Sequence, residues 1–344
     1  MSLTDGLGIA LPILQAPMAG VQDHVLAVAV GEGGGLGALP CALLSAEAMR
    51  TELTALRAKR ERPFNVNVFC HAPPVPDAVR EAAWRAALAP YYAELGLDPD
   101  AAPTGPGRQP FTHAIADVLE PFRPPVMSFH FGLPADDLLA RVRGWGATIL
   151  ATATSVEEGR WLEARGVDAV IAQGYEAGGH RGHFLSDDLG GALGTFALVP
   201  QLVHALRTPV IAAGGIADAR GVAAALALGA AAVQVGTAYL LCPEATTSAV
   251  HRAALQGEEA RHTVYTNLIT GRPARGIVNR VMRELGPLSP LAPAFPLASA
   301  AIAPLRAEAE RRGHGDFSPL WAGQNTSGCR VVPAAQRTRE LAPA

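Results

Sequence analysis

The sequence predicts an α/β fold: a (β/α)8 TIM barrel with an insertion after its third strand and a C-terminal helical extension over the barrel mouth. Three observations predict it. Eight short apolar runs alternate with helical segments between residues 13 and 235, the pattern of a parallel sheet whose strands are joined by helices. Two helix-to-strand junctions resemble each other, Gly166-Val-Asp-Ala-Val170 and Gly229-Ala-Ala-Ala-Val233, as expected when one βα unit is reused. A doubly wound sheet, the main competitor, would carry a Gly-x-Gly-x-x-Gly fingerprint and a downstream acid after its first strand, and neither is found.

The predicted strands are 13–16, 36–39, 64–69, 126–131, 147–153, 167–172, 209–213 and 231–235. Ser155 with Glu158 forms a capping box that opens a helix over 156–164, and Gly166 ends it. Asp218 is the N-cap of a helix that runs to Leu228 and stops at Gly229. Two regions fall outside the repeat. Residues 70–124 are proline-rich with a helix over 77–89, and read as an inserted helical segment within a barrel of residues 1–240. Residues 241–332 hold a helical segment, a segment over 263–279, a Pro/Ala-rich stretch from Gly286 and a helix at 305–312. They read as a substrate-side extension, followed by a frayed tail at 333–344.

Composition narrows the function. The chain has 344 residues, 49% hydrophobic and 17% charged, which excludes general disorder. A net charge of −3 gives no nucleic-acid footprint. Of 28 basic residues only Lys59 is a lysine, which rules out a P-loop and leaves one Schiff-base candidate. Cys41, Cys70, Cys242 and Cys329 are far apart, arguing against disulfide frameworks and zinc and for a reducing cytoplasm. Asp5 and the lack of a basic start argue against a signal peptide. The charge-free stretch from Gly221 to Cys242 is long enough for a bilayer, but Gly229 divides it into a helix and a strand, so it reads as buried structure and not as a membrane span. No metal-ligand spacing occurs among the histidines.

A barrel's chemistry sits at the C-terminal ends of its strands. After the seventh comes Ala212-Ala-Gly-Gly-Ile-Ala-Asp218, and after the eighth Gln234-Val-Gly-Thr237. Their glycines let backbone N–H groups approach an anion, so these loops predict a phosphorylated ligand. After the sixth comes Gln173-Gly-Tyr-Glu-Ala-Gly-Gly-His-Arg-Gly182, whose glycines admit a flat ligand and deliver His180, a residue able to exchange protons near neutral pH. Glu176, Arg181 and His183 read as loop ion pairs. The fourth strand ends Ser128-Phe-His-Phe-Gly132, with His130 either facing the mouth or held as a hydrogen-bonded core residue. Asn65 and Asn67 share one strand face and need partners, which a ring with N–H and C=O groups would supply. The first strand ends Gln15-Ala-Pro-Met-Ala-Gly20, where Met18 and small residues permit close approach.

These segments, with Trp321-Ala-Gly-Gln324, resemble the nitronate monooxygenase family, also called 2-nitropropane dioxygenases, over nearly the whole chain. Glu176-Ala-Gly-Gly-His-Arg-Gly182 is the most specific element, and the His-Phe-Gly and Trp-Ala-Gly-Gln elements resemble its class I branch. The resemblance implies an FMN-dependent enzyme, a monomer or homodimer, that oxidises alkyl nitronates with O2 to a carbonyl compound and nitrite. Neutral nitroalkanes become substrates where a base first removes the α-proton. By resemblance His180 is catalytic, and Gly214, Gly215, Gly236 and Thr237 hold the FMN phosphate. Met18, Asn67, Gln173, Gly178, Gly179 and Gln234 serve the flavin and its ribityl chain, and His130 meets flavin or substrate. The class I pattern places two tyrosines and a lysine over the pocket where this chain has Phe295, Ser299 and Ala303. This implies a roomier, less polar substrate site. Three other readings share these residues: an NAD(P)H-dependent flavin reductase of an enoyl thioester or quinone, a flavin- or phosphate-binding barrel without catalysis, and a phosphosugar barrel without flavin.

Overall fold

The computed structural model describes residues 2–59, 62–99 and 107–343. The chain runs α1 (Leu3–Leu7), β1 (Ile13–Gln15), α2 (His24–Glu32), β2 (Gly37–Pro40), α3 (Ala46–Ala58) and β3 (Phe64–Phe69). Next come α4 (Ala78–Leu95), α5 (His113–Leu119), β4 (Val126–His130), α6 (Asp136–Gly144), β5 (Thr148–Ala153), α7 (Val156–Ala164) and β6 (Ala169–Gln173). A two-residue strand, β7 (Gly179–His180), precedes α8 (Thr195–Ala205), β8 (Val210–Ala213), α9 (Ala219–Ala227) and β9 (Ala232–Val235). The remainder holds α10 (Ala249–Gln256), β10 (Thr263–Thr266), β11 (Ala274–Ile277), α11 (Arg280–Leu285), α12 (Ala298–Arg311) and α13 (Ala334–Leu341).

Eight strands pair in the order β1-β9-β8-β6-β5-β4-β3-β2, every pair parallel, and a parallel bridge between Leu14 and Leu36 closes the ring. This is the predicted TIM barrel. Alternation along each strand separates two cores. Outward residues such as Val66, Phe129, Ile149, Val170 and Val233 pack against the helices. Inward residues at the strand starts (Leu14, Val126, Leu150, Ile171 and Ile211) fill the barrel floor, which Leu7 of α1 covers from below. Higher up the same inward rows turn polar, with Asn67, Ser128, His130, Thr152, Gln173 and Gln234. The change from apolar to polar along one strand face builds a site on a packed plug.

The charge-free stretch resolves as predicted into α9, β9 and a 3-10 turn at Thr237–Tyr239. No helix among the described residues is long and apolar enough to cross a membrane. Asp218 caps α9 by accepting from Gly221 N–H at 2.8 Å. The capping box of α7 is only half formed. Ser155 Oγ accepts from Glu158 N–H at 3.2 Å, but the Glu158 carboxylate turns to Thr154 N–H (2.7 Å) and Phe184 N–H (2.6 Å). It ties the loop after β6 to the end of β5.

The insertion is divided differently from the expectation for 70–124. Helix α5 packs between α3 and α6 as the barrel's own β3–β4 helix. Helix α4 instead joins the extension: its Trp84, Leu88, Tyr91 and Tyr92 share a second core with Ile302, Leu305, Met282 and Phe317. Insertion and extension thus form one cap over the barrel mouth. The expected frayed tail is an ordered helix. Ala334, Thr338 and Leu341 of α13 are fully buried against α2 and α9, and Tyr239 Oη lies 2.9 Å from Thr338 Oγ1. Their four- and three-residue spacing marks one helical face that position at the chain end had obscured.

Candidate active site

The polar ends of the strands and the underside of the cap enclose a cavity of about 1300 Å³ including its open mouth. Met18, Asn67, Gln173, Gly178, Gly179, His180, His130, Gly214, Gly215, Gln234, Gly236 and Thr237, all singled out in the sequence, line it together.

One end is made of backbone. Gly214 and Gly215 have φ of 115° and 72°, left-handed values that side chains resist. The segment after Trp321 straps this end down. Thr237 Oγ1 accepts from Gly323 N–H at 2.9 Å, which leaves the hydroxyl proton free to donate into the cavity. Asn325 Nδ2 donates to Gly215 O at 3.1 Å. The strap fits only because residue 178 is glycine: a Cβ there would lie 2.6 Å from the Ala322 carbonyl carbon and the Gly323 nitrogen. The carboxylate of Asp218 already occupies the N-terminus of α9, so an anion here would rest on loop N–H groups and Thr237. Nearby, Gln234 Oε1 is buried without a hydrogen-bond partner.

The other end is made of side chains. Strand β7 pairs antiparallel with β11, setting His180 opposite Ala274. His130 Nε2 and Gln173 Nε2 both donate to the His180 carbonyl, at 3.1 and 3.0 Å. Gln173 Oε1 also accepts from Gly182 N–H at 2.7 Å, and His130 Nδ1 accepts from the Thr152 hydroxyl at 3.1 Å. Gln173 thus holds the His180 loop through both polar atoms, and His130 through Nε2 while Nδ1 ties it to Thr152 of β5. Both also line the cavity, where Gln173 keeps a second Nε2–H. The His180 imidazole sits at 2.9 Å, through Nε2, from Thr270 Oγ1, which donates its own proton to Arg272 O at 3.3 Å. With the Thr270 proton on Arg272 O, Nε2 is the donor and the lone pair is on Nδ1, which has no hydrogen bond among the described residues.

Burial, reinforced by Arg108, His130 and Arg272, holds His180 well below the usual histidine range, so it is neutral at pH 7. Burial likewise brings His71, His130 and His251 down to about 4. Phe295 and Trp321 stand edge-on to His180 at 5.3 and 5.7 Å between ring centres.

Some expectations fail. Phe295 and Ser299, expected against the substrate, are not among the residues that line the cavity, although the Phe295 ring packs against His180, and Ala303 is exposed on α12. Ser299 Oγ donates to Ile269 O and accepts from Arg108 Nη1, each at 3.1 Å. The expected loop ion pairs do not form among the described residues: His183 Nε2 lies 3.4 Å from Asp187, but burial brings this imidazole down to about 4, so the contact is not charged on both sides at pH 7. Glu176 instead accepts from Thr195 N–H at 2.8 Å at the start of α8, and Arg181 is buried beside the Tyr175 ring. Sequence reading missed Thr270, Arg108 and His251, which touch His180 or line the cavity from the cap. None has a local pattern that would announce it. Among the described residues no cluster is arranged to hold a metal.

Comparison with known proteins gives concordant matches. The nitronate monooxygenase family profile matches residues 1–343. A nitronate monooxygenase of Paraburkholderia phytofirmans is 44% identical over 342 residues, covering 97% of this chain and 92% of its own. The crystal structure of nitroalkane oxidase from Streptomyces ansochromogenes superposes with a TM-score of 0.88 at 42% identity, covering 99% of this chain and 96% of that one. FabK from Thermotoga maritima is more distant, with a TM-score of 0.73 at 27% identity, covering 99% and 94%.

Proposed function

This chain belongs to the nitronate monooxygenase family, and from that premise we propose that it is an FMN-dependent oxidoreductase. In this reading it oxidises alkyl nitronates with O2 to a carbonyl compound and nitrite. One observation carries the proposal: a neutral imidazole with a bare Nδ1 and a glycine-built anion cradle share a single cavity.

The residues present fit FMN. The left-handed glycines and the free Thr237 proton suit its phosphate, and the unpartnered Gln234 Oε1 suits a ring N–H or a ribityl hydroxyl. Asn67 lines the same wall, with Nδ2 donating to Ser128 O at 3.1 Å, which leaves its own carbonyl oxygen to accept. Met18 packs beside Gly236, a soft apolar surface for a flat ring. Bound FMN would supply the redox chemistry, taking up electrons from the electron-rich nitronate and delivering them to O2.

The protein's own part is to orient and to exclude water. Phe69, Phe131 and Phe295 wall off the His180 end with edge-on ring contacts. A nitronate needs no proton removed, and a neutral nitroalkane does. For the latter His180 Nδ1 is the base, and Thr270 holds the tautomer that leaves it free.

The test is an absorption spectrum of the purified protein, then anaerobic titration with nitronate and with NADH, then nitrite release in air. We expect FMN released on denaturation, bleaching by nitronate but not by NADH, and nitrite. His180→Ala should lower kcat/KM on nitroalkane by about 10²–10⁴-fold. Colourless protein, or bleaching by NADH without nitrite from nitronate, would overturn the reading.

A further inference from the structure

We propose that Arg108 holds the negative charge of the substrate, so that this site selects nitronate anions over their neutral parent nitroalkanes. The inference rests on the functional reading above and names the residue that makes the site's preference.

Among the described residues lining the cavity, Arg108 alone carries a formal charge at pH 7, because His130, His180 and His251 are all held neutral by burial. It is the cation of an otherwise uncharged pocket. Its electrostatic effect falls on His180 and His71, which places it at the imidazole end and not at the glycine cradle. The two anions that the reaction requires, a cofactor phosphate and a nitronate, thus have separate receptors of different make: backbone N–H groups at one end and a guanidinium at the other.

Among the described residues no carboxylate neutralises Arg108. Nη1 donates to Ser299 Oγ at 3.1 Å, and the Ser299 proton goes on to Ile269 O at 3.1 Å. The tether is a neutral hydroxyl whose own proton is already committed, so it fixes direction and leaves the charge intact. The group acting on Arg108 most strongly through charge is another cation, Arg306, and together with burial it brings Arg108 down to about 10. A partly buried cation with no carboxylate beside it among the described residues is costly, and an arriving anion relieves that cost where a neutral molecule does not. A guanidinium also presents paired N–H groups that match the two oxygens of a nitronate side by side.

The arrangement explains the departure at Phe295, Ser299 and Ala303. The extension supplies no phenol or ammonium to the cavity. Its serine serves instead to aim an arginine that arrives from the insertion, 191 residues earlier in the chain.

The test compares wild type, Arg108→Gln, Arg108→Lys and Ser299→Ala on 2-propyl nitronate and on 2-nitropropane. It also titrates inorganic nitrate, a flat monoanion, by the change in flavin absorbance. We expect Arg108→Gln to lower the nitronate-to-nitroalkane ratio of kcat/KM about 10²-fold, through KM, and to weaken nitrate binding at least ~10-fold. Arg108→Lys should recover most of both. Ser299→Ala, which keeps the cation and loosens its aim, should weaken nitrate ~2–10-fold and serves if Arg108→Gln does not fold. A ratio and a nitrate affinity that stay at wild-type values would overturn the proposal while the functional reading stands. Wild-type protein that binds nitrate through Arg108 but yields no nitrite from nitronate would overturn the functional reading and keep the anion site.

Discussion

The two ends of the cavity are built on different plans. At the cradle, the shape comes from backbone: left-handed Gly214 and Gly215, and a strap that presses Gly323 against Thr237. At the His180 end, the shape comes from side chains that meet across long stretches of chain. His180 meets Thr270, 90 residues away, and Arg108 meets Ser299, 191 residues away. The difference teaches which substitutions each end tolerates. A backbone site is indifferent to trimming side chains and intolerant of added bulk. A side-chain site is the reverse.

The sharpest way to break this contrast is to add one methyl group to the cradle. In Gly178→Ala the new Cβ would meet the Ala322 carbonyl carbon and the Gly323 nitrogen at 2.6 Å. Both are backbone atoms that no rotamer change can move, so the strap must lift and release Thr237. We expect bound flavin to dissociate at least ~10-fold more readily and the fold to lose about 1–3 kcal/mol, as overpacking does. Flavin fluorescence on dilution and urea unfolding measure the two. Unchanged retention would show that the strap does not secure the cradle.

The same contrast decides what could be read from the sequence. The eight barrel strands were legible because each is a short, mostly apolar run set between helical segments, and β3 and α7 fall at the predicted bounds. The cradle was legible because Gly214, Gly215, Gly236 and Thr237 each lie directly after a strand, where local geometry is enough. Strand parity placed His130 and Gln173 on the inner face, yet it could not show that the His180 carbonyl takes a hydrogen bond from each. The partners of His180 were illegible for a further reason. Thr270 and Arg108 are brought in by the cap, whose core joins α4 to α12 across about two hundred residues. Glu158 was read as half of a capping box because its spacing fits one, and only the fold reveals that the loop at Phe184 competes for it.

Acid offers a second way to separate the ends. The cradle's lining has no titratable side chain, whereas His71 and His130 at the opposite end, with His251, are lowered to about 4 by burial. In the unfolded chain they titrate near 6.5. Between those values the unfolded state binds more protons, so stability rises with pH: it is fully present above about 6.5 and is lost as pH falls toward 4. Each histidine inside that window contributes a slope of up to ~1.4 kcal/mol per pH unit. Urea midpoints at pH 7.5 and pH 5 check this, with a marked drop expected at pH 5. A flat profile would mean that these imidazoles are solvated and that the His180 end is not the dry, side-chain-built site described.

The smallest expected effect probes the side-chain end most directly. Thr270→Val keeps the shape of the side chain and removes the acceptor for His180 Nε2–H, so nothing then holds the proton on that nitrogen. The imidazole can place it on Nδ1 instead, and the lone pair turns away from the substrate. A neutral hydrogen bond in such a setting is worth about 0.5–1.5 kcal/mol, or roughly 2–12-fold in rate. If Nδ1 is the base as proposed, neutral 2-nitropropane should bear that loss in kcat, and 2-propyl nitronate, already deprotonated, should show a smaller change. Thr270→Ser, which restores the hydroxyl without the methyl, should recover the nitroalkane rate. If Val depresses both substrates equally and Ser does not restore them, Thr270 acts as packing alone. The free lone pair on Nδ1 would then owe nothing to its partner in the cap.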